Sequence, residues 1–187
     1  MTYSRLMAHK TREQLEAGLT NVLAAPADHG SVRLIVRRPE VDVREVVPEG
    51  RLDPVHGLVG DDWENRPGHN GGPERYAQVT LMNARYTELI ADSAEPEQWA
   101  IAGDQLYVDM DISQQNLPAG TRLSMGSATI EISEEPHTGC AKFSARFGSE
   151  AWKFANTPSG RSLRLRGANA MVVEAGDVGT GDTITRA

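Results

Sequence analysis

The sequence predicts a mostly-β barrel or sandwich with helical insertions, on three observations. Stretches that alternate apolar and polar residues outnumber stretches of helical period. Turn residues recur between them, at Pro39, Gly120, Gly126 and Gly176. No strand–helix–strand rhythm, internal repeat or low-complexity tract runs through the chain, which argues against a parallel doubly wound sheet.

Taken in order, residues 11–25 predict a helix. Thr11 and Gln14 stand at capping-box spacing, Leu15, Leu19, Val22 and Leu23 share one face, and Pro26 and Gly30 end it. The period then changes to two. Residues 32–36 and 41–46 predict strands separated by Pro39. Residues 50–76 are rich in Gly, Pro, Asp, His and Asn and predict a long loop, of the kind that is functional when it occurs inside a compact domain. A short strand is expected over 78–82, after which Asn83 can cap a helix that carries Tyr86, Leu89 and Ile90 on one face. Residues 106–110 predict a strand and 117–120 a turn. Residues 122–132 alternate around Gly126 as a hairpin does. A helix is expected from about 141 to 155. Strands are expected over about 168–174 and 181–185, with Gly176-Asp177-Val178-Gly179 as the turn between them.

The chain has 187 residues, enough for one domain with a full core. We expect a single domain over 1–187: a helical extension to about residue 28, then a barrel over about 30–185. Hydrophobic residues make up 39% and charged residues 24%, the balance of a globular chain. The formal net charge of −7 opposes phosphate backbones, so nucleic acid is not an expected partner. No apolar stretch approaches the roughly 20 residues that cross a bilayer, and no secretory signal precedes the first helix, so no membrane role is expected. A single cysteine, Cys140, forms no intramolecular disulfide, and a cytoplasmic location is the expectation.

That cysteine sits in Glu135-Pro136-His137-Thr138-Gly139-Cys140-Ala141-Lys142-Phe143, between an alternating strand and the expected helix. A helix start and the Lys142 charge favour thiolate over thiol, and His137 can donate a hydrogen bond or take a proton. A thiolate attacks a persulfide sulfur or ligates a soft metal. The bland alternative is a small buried hydrophobe.

The segment His137 to Phe143 resembles the cysteine motif of the MOSC family, the domain named after the C-terminal part of molybdenum-cofactor sulfurase. Three further segments match in order. Gly57-Leu58-Val59-Gly60-Asp61 resembles the family's Gly-Leu-x-Gly-Asp. Residues 111–120, with Asn116-Leu117, resemble its Asn-Leu-x-x-Gly segment. Arg164-Leu165-Arg166-Gly167-Ala168-Asn169-Ala170, with Gly179-Thr180-Gly181-Asp182, resembles its C-terminal pattern. The resemblance spans about residues 30–185 and implies a MOSC-type β-barrel, related to that of pyruvate kinase, with a few short helices. It implies a cysteine that carries sulfur received from a pyridoxal-phosphate cysteine desulfurase, as a persulfide for metal–sulfur or molybdenum cofactor assembly. In some members the cysteine instead ligates molybdenum in a bound cofactor, and those members reduce N-hydroxylated compounds. Gln115 stands where several cofactor-binding members have arginine, and Asp61-Asp62-Trp63 where members often have histidine. No pyridoxal-phosphate site is visible in this chain.

On this reading Cys140, His137 and Lys142 are the expected catalytic residues. Asn116, Arg164, Arg166, Gly71, Gly72 and Asp61 are the expected cofactor-binding residues, with Cys140 the metal ligand if molybdenum cofactor binds. Arg164 and Arg166, at strand spacing, would face one way and could hold a phosphate or pterin; a solvated face paired with carboxylates is the alternative. Gly68 to Pro73 could present backbone N–H groups to an anion, or be a plain turn. His56 and His69 fit no zinc spacing. Nucleotide and serine-hydrolase signatures are missing. Three functions follow: a sulfur carrier served by a cysteine desulfurase or other sulfur donor, a molybdenum-dependent reductase served by a redox partner, or a binding module with an inert thiol.

Overall fold

The computed structural model describes residues 9–66, 73–138 and 141–187. The first helix, α1 (Arg12–Leu23), begins as the sequence indicates: the Thr11 hydroxyl accepts from Gln14 N and the Gln14 side chain accepts from Thr11 N. Then come β1 (Gly30–Arg37), β2 (Glu45–Val47), β3 (Glu49–Asp53), β4 (Gly57–Leu58) and β5 (Val79–Asn83). Asn83 ends β5 and caps α2 (Ala84–Ala91), its side-chain oxygen accepting from Tyr86 N at 3.0 Å. A 3-10 helix over Pro96–Ala102 leads into β6 (Leu106–Asp109), followed by the hairpin β7 (Arg122–Met125) and β8 (Ala128–Ile132). Three short helices, α3 (Ala141–Phe147), α4 (Ser149–Ala155) and α5 (Pro158–Ser162), precede β9 (Ala168–Glu174), β10 (Gly176–Gly179) and β11 (Thr183–Arg186).

Seven strands close into a barrel in the order β1, β11, β7, β8, β9, β5, β6 and back to β1. Among the described strands only β5 and β6 run parallel; the connection between them carries α2 and the 3-10 helix, as a parallel crossover requires. β2 pairs on the outside of β1, and β3 joins β10 and β4 in a separate three-stranded sheet.

Alternation sorts β1, β5 and β6 between two apolar layers. Val32, Ile35, Val79, Leu81, Leu106, Val108, Ile130, Val172 and Ile184 fill one core. Leu34, Val36, Met82 and Tyr107, on the other faces of β1, β5 and β6, pack with Leu15, Tyr86, Trp99, Phe143, Phe147 and Phe154 from the helices. Strands covered on both faces lose the polar half of their pattern, which is why Leu34-Ile35-Val36 reads as an unbroken apolar run. Each fully buried aliphatic or aromatic side chain contributes about 1.5–3 kcal/mol.

Several sequence expectations are corrected. Of the expected 41–46 strand only Glu45 and Val46 form one, as the start of β2; Val41 to Arg44 turn away, with Asp42 at φ 63 and Val41 74% exposed. The expected 50–76 loop contains β3, β4 and a 3-10 helix at Asp62–Asn65. The expected turn at 176–179 is β10, because it pairs with β3 from far along the chain. The helix expected over 141–155 breaks at Gly148, whose φ is 90. A Cβ there would lie 2.8 Å from Cβ of His9.

Candidate functional site

Gly103-Asp104-Gln105, immediately before β6, organises a buried polar seam. The Asp104 side chain is wholly buried and accepts from Arg166 Nη1 at 2.9 and 2.8 Å and from His137 Nε2 at 2.9 Å. Burial alone would raise the Asp104 carboxyl, but the Arg166 charge and the His137 hydrogen bond outweigh it and hold it well below the usual range. An ionised carboxylate only accepts, so Nε2 of His137 carries the hydrogen and Nδ1 is left as an acceptor. Burial, reinforced by the Arg166 charge, lowers the His137 pKa against the opposing pull of Asp104, which favours the neutral imidazole. The Arg166 guanidinium also lies over the Phe143 ring, 5.0 Å from its centroid.

Gly167 makes this arrangement sterically accessible. Its φ is 116, and a Cβ there would lie 2.4 Å from Leu81 O and 3.1 Å from Cδ2 of His137. The other half of the seam joins through the same tripeptide. Arg38 Nη1 donates to Gly103 O at 2.8 Å, while its Nε and Nη2 grip Asp61 bidentately, each at 2.8 Å. Gln105 accepts from Thr80 N and Oγ1 and donates to Gln78 O at 3.2 Å.

A cleft of about 90 Å³ opens beside this seam. Gln114, His137, Thr138, Arg161, Arg164 and Arg166 line it, with Glu134 and Glu135 at its rim.

A second cationic cluster surrounds Gly103. Arg146 Nη1 donates to Ile101 O at 2.7 Å, and its Nη2 shares Asp42 with Lys142 Nζ at 3.1 and 3.0 Å. The Lys142 hydrogen bond is the chief reason that the Asp42 carboxyl titrates lower than usual. Arg44 has no carboxylate partner among the described residues: its Nη1 donates to Val43 O, and its buried Nε has no partner. Burial lowers the Arg44 and Arg66 pKa values, and neighbouring guanidinium groups, Arg146 and Arg38 for Arg44 and Arg38 for Arg66, add to the effect.

The structure thus brings together His137 and Arg166 on one carboxylate, with Arg164 on the same cleft. Arg164 and Arg166 do not share a strand face; they lie in the turn after α5, with Arg164 at φ 50 and its Nη1 on Leu117 O and Ile112 O. Lys142 is exposed and held by Asp42. Asn116 is bound to Asp111 O, Ala27 O and Arg186. Asp61 is committed to Arg38 and to Trp63 N. Cys140, Gly71 and Gly72 lie outside the described residues, as does His69. His56 is exposed and pairs with Glu64. Among the described residues no three His, Cys, Asp or Glu side chains gather as a metal group. Sequence reasoning missed Asp104, Arg38, Arg44 and Arg146. None of these had a signal in the sequence: the need of Arg166 for a carboxylate shows only once the fold buries it.

The barrel order and this seam can be set beside known proteins. The sequence-family description "MOSC domain" matches residues 66–185, more than half of the chain. The chain belongs to the MOSC domain family. The matched stretch includes Asp104, Asn116, His137, Cys140, Arg164 and Arg166. Among solved structures, the YuaD protein of Bacillus subtilis is similar at 18% identity and a TM-score of 0.57, over 83% of this chain and 93% of that one. YiiM of Escherichia coli is similar at 17% identity and a TM-score of 0.55, over 84% of this chain and 69% of that one. YiiM of Geobacillus stearothermophilus is similar at 12% identity and a TM-score of 0.56, over 84% and 75%. At these identities the likeness shows the barrel fold of this MOSC chain. No curated protein matches its sequence. No helix among the described residues is long and apolar enough to cross a membrane.

Proposed function

We propose that this MOSC domain is a sulfur carrier in which Cys140 holds a sulfane sulfur as a persulfide, between a donor such as a cysteine desulfurase and a metal–sulfur or molybdenum-cofactor acceptor. One observation supports this most: the sequence on both sides of Cys140 is tied to fixed charge. Before it, His137 is held by Asp104, which Arg166 also grips; after it, Lys142 and Arg146 are joined through Asp42. Positive charge near a cysteine favours the thiolate, which attacks the outer sulfur of a donor persulfide while the donor's own sulfur leaves as a thiolate. Lys142 is solvated, so its individual contribution is small. The test is intact-mass measurement after incubation with a cysteine desulfurase and cysteine. One added sulfur, removable by a thiol reductant and lost in Cys140→Ser, is expected; no uptake by the folded protein refutes the reading.

Arg44 favours a second reading, in which molybdenum cofactor binds and Cys140 ligates the metal. A buried guanidinium N–H without a partner, among cations, suits an anionic group such as the cofactor's phosphate. Arg44, Arg66 and Arg146 are the residues that would hold it. When bound, the cofactor supplies the redox chemistry that reduces an N–O bond, with electrons from a separate redox partner. Metal and pterin analysis of protein from its native host tests this. Molybdenum and pterin retained by the wild type and lost in Arg44→Gln are expected; neither in the wild type leaves the carrier alone.

A further inference from the structure

Asp104 uses one nitrogen from each of its two partners and leaves the others unused. Every hydrogen bond of Arg166 runs through Nη1: two to Asp104 and one, at 3.8 Å, to Met82 Sδ. Its Nε–H is buried without an acceptor, although the side chain is only 8% exposed and lines the cleft. A buried N–H left unpaired costs about 1–3 kcal/mol, so an acceptor belongs there. His137, on the same cleft, is in the opposite state. Its Nε2–H is given to Asp104, and its Nδ1 can only accept.

The cleft therefore pairs a cationic donor with a neutral acceptor. A ligand that satisfies both carries one anionic oxygen group and one hydrogen-bond donor. The surrounding charges narrow its total charge. Arg161 and Arg164 line the cleft, but the exposed carboxylates of Glu134 and Glu135 also border it and oppose a multiply charged anion. A volume of about 90 Å³ suits a ligand of a few heavy atoms.

We propose that this cleft binds a small thiol carboxylate, with the carboxylate on Arg166 and the S–H donating to Nδ1 of His137. The choice of S–H over O–H rests on the sulfur-carrier reading: such a molecule is the low-molecular-weight thiol that would exchange sulfur with the protein. Asp104 is then a positioning residue. It fixes the His137 tautomer and turns Arg166 so that its Nε–H remains for the ligand.

The test uses the Cys140→Ser protein, so that no covalent reaction at the cysteine contributes. The ¹H–¹⁵N signals of the His137 ring and of Arg166 Nε–H are followed during titration with thioglycolate, acetate and 2-mercaptoethanol. Thioglycolate is expected to shift both residues and to bind about tenfold more tightly than either of the others, each of which offers half of its groups. Arg166→Gln should remove the advantage of thioglycolate over 2-mercaptoethanol, and Arg166→Lys should restore part of it. Equal binding of thioglycolate and acetate, or shifts that miss His137, overturns the proposal. The comparison of the three ligands stands even if an Arg166 variant fails to fold. Sulfur uptake is measured at Cys140 in the wild type and binding in its absence, so failure of one idea is distinguishable from failure of the other.

Discussion

Replacing Asp104 with Asn tests whether the buried seam works through charge. Asn keeps the shape and one acceptor oxygen, so His137 retains its hydrogen bond, but Arg166 loses the one carboxylate that it touches among the described residues. Arg166 is 7% exposed and cannot recover solvent without leaving Phe143 and the cleft wall. Removing one partner of a buried ion pair costs about 3–5 kcal/mol, because the remaining charge is uncompensated. For a chain of this size that lowers the melting midpoint by roughly 6–20 °C. The assay is urea unfolding of the wild type, Asp104→Asn, Arg166→Met and the double variant. The double variant should recover about 1–3 kcal/mol relative to the sum of the singles, since it no longer buries an unpaired group. A single-variant cost under about 1 kcal/mol, or strict additivity in the cycle, refutes the assignment of this pair as a buried electrostatic clamp.

Acid should unfold the protein through the same seam. The folded-state pKa of His137 lies below its ordinary 6.5, and that of Asp104 below 3.8, so both contributions are present above those values and are lost as pH falls through the folded ones. Urea midpoints from about pH 8 to about pH 4 should fall toward acid, and the fall below about pH 6.5 should shrink in His137→Gln. Gly167→Ala should cost about 2–6 kcal/mol, combining a strained positive φ with overpacking against Leu81 O; a melting curve that overlays the wild type contradicts this. Asp61→Asn should destabilise by about 3–5 kcal/mol through the stranded Arg38, measured by denaturation without any cofactor present. An unchanged stability would return Asp61 to the cofactor-binding role that its motif implies.

What could be read from the sequence was local. The Thr11–Gln14 box, the Asn83 cap and the Gly126 hairpin each rest on residues within a few positions of one another, and each forms. The errors were non-local. β10 reads as a turn because Gly176, Asp177 and Gly179 are turn residues, and only its pairing with Glu49–Leu52 makes it a strand. Arg164 and Arg166 read as strand neighbours, although Thr157-Pro158 carries the signature of a helix start: the Thr157 hydroxyl caps Gly160 N and Pro158 sits in the first turn. The cysteine motif pointed to His137. Nothing in its spacing pointed to Asp104, which lies 33 residues earlier and meets it only once β6 and the 133–138 segment come together.

The barrel closes where β1 meets β11, through Gly30 opposite Ile184 and Ser31 opposite Thr183. This pairing joins strands from opposite ends of the described barrel sequence. On the ribosome, this part of β1 stays unpaired on that side until Thr183 and Ile184 have left the exit tunnel. Such late, long-range closure slows folding and prolongs exposure of β-edges that can pair with other chains. β2, laid along the outside of β1 by a short local turn, covers part of that strand early. It pairs with Ile35 to Arg37 and leaves Gly30 and Ser31 to wait for β11.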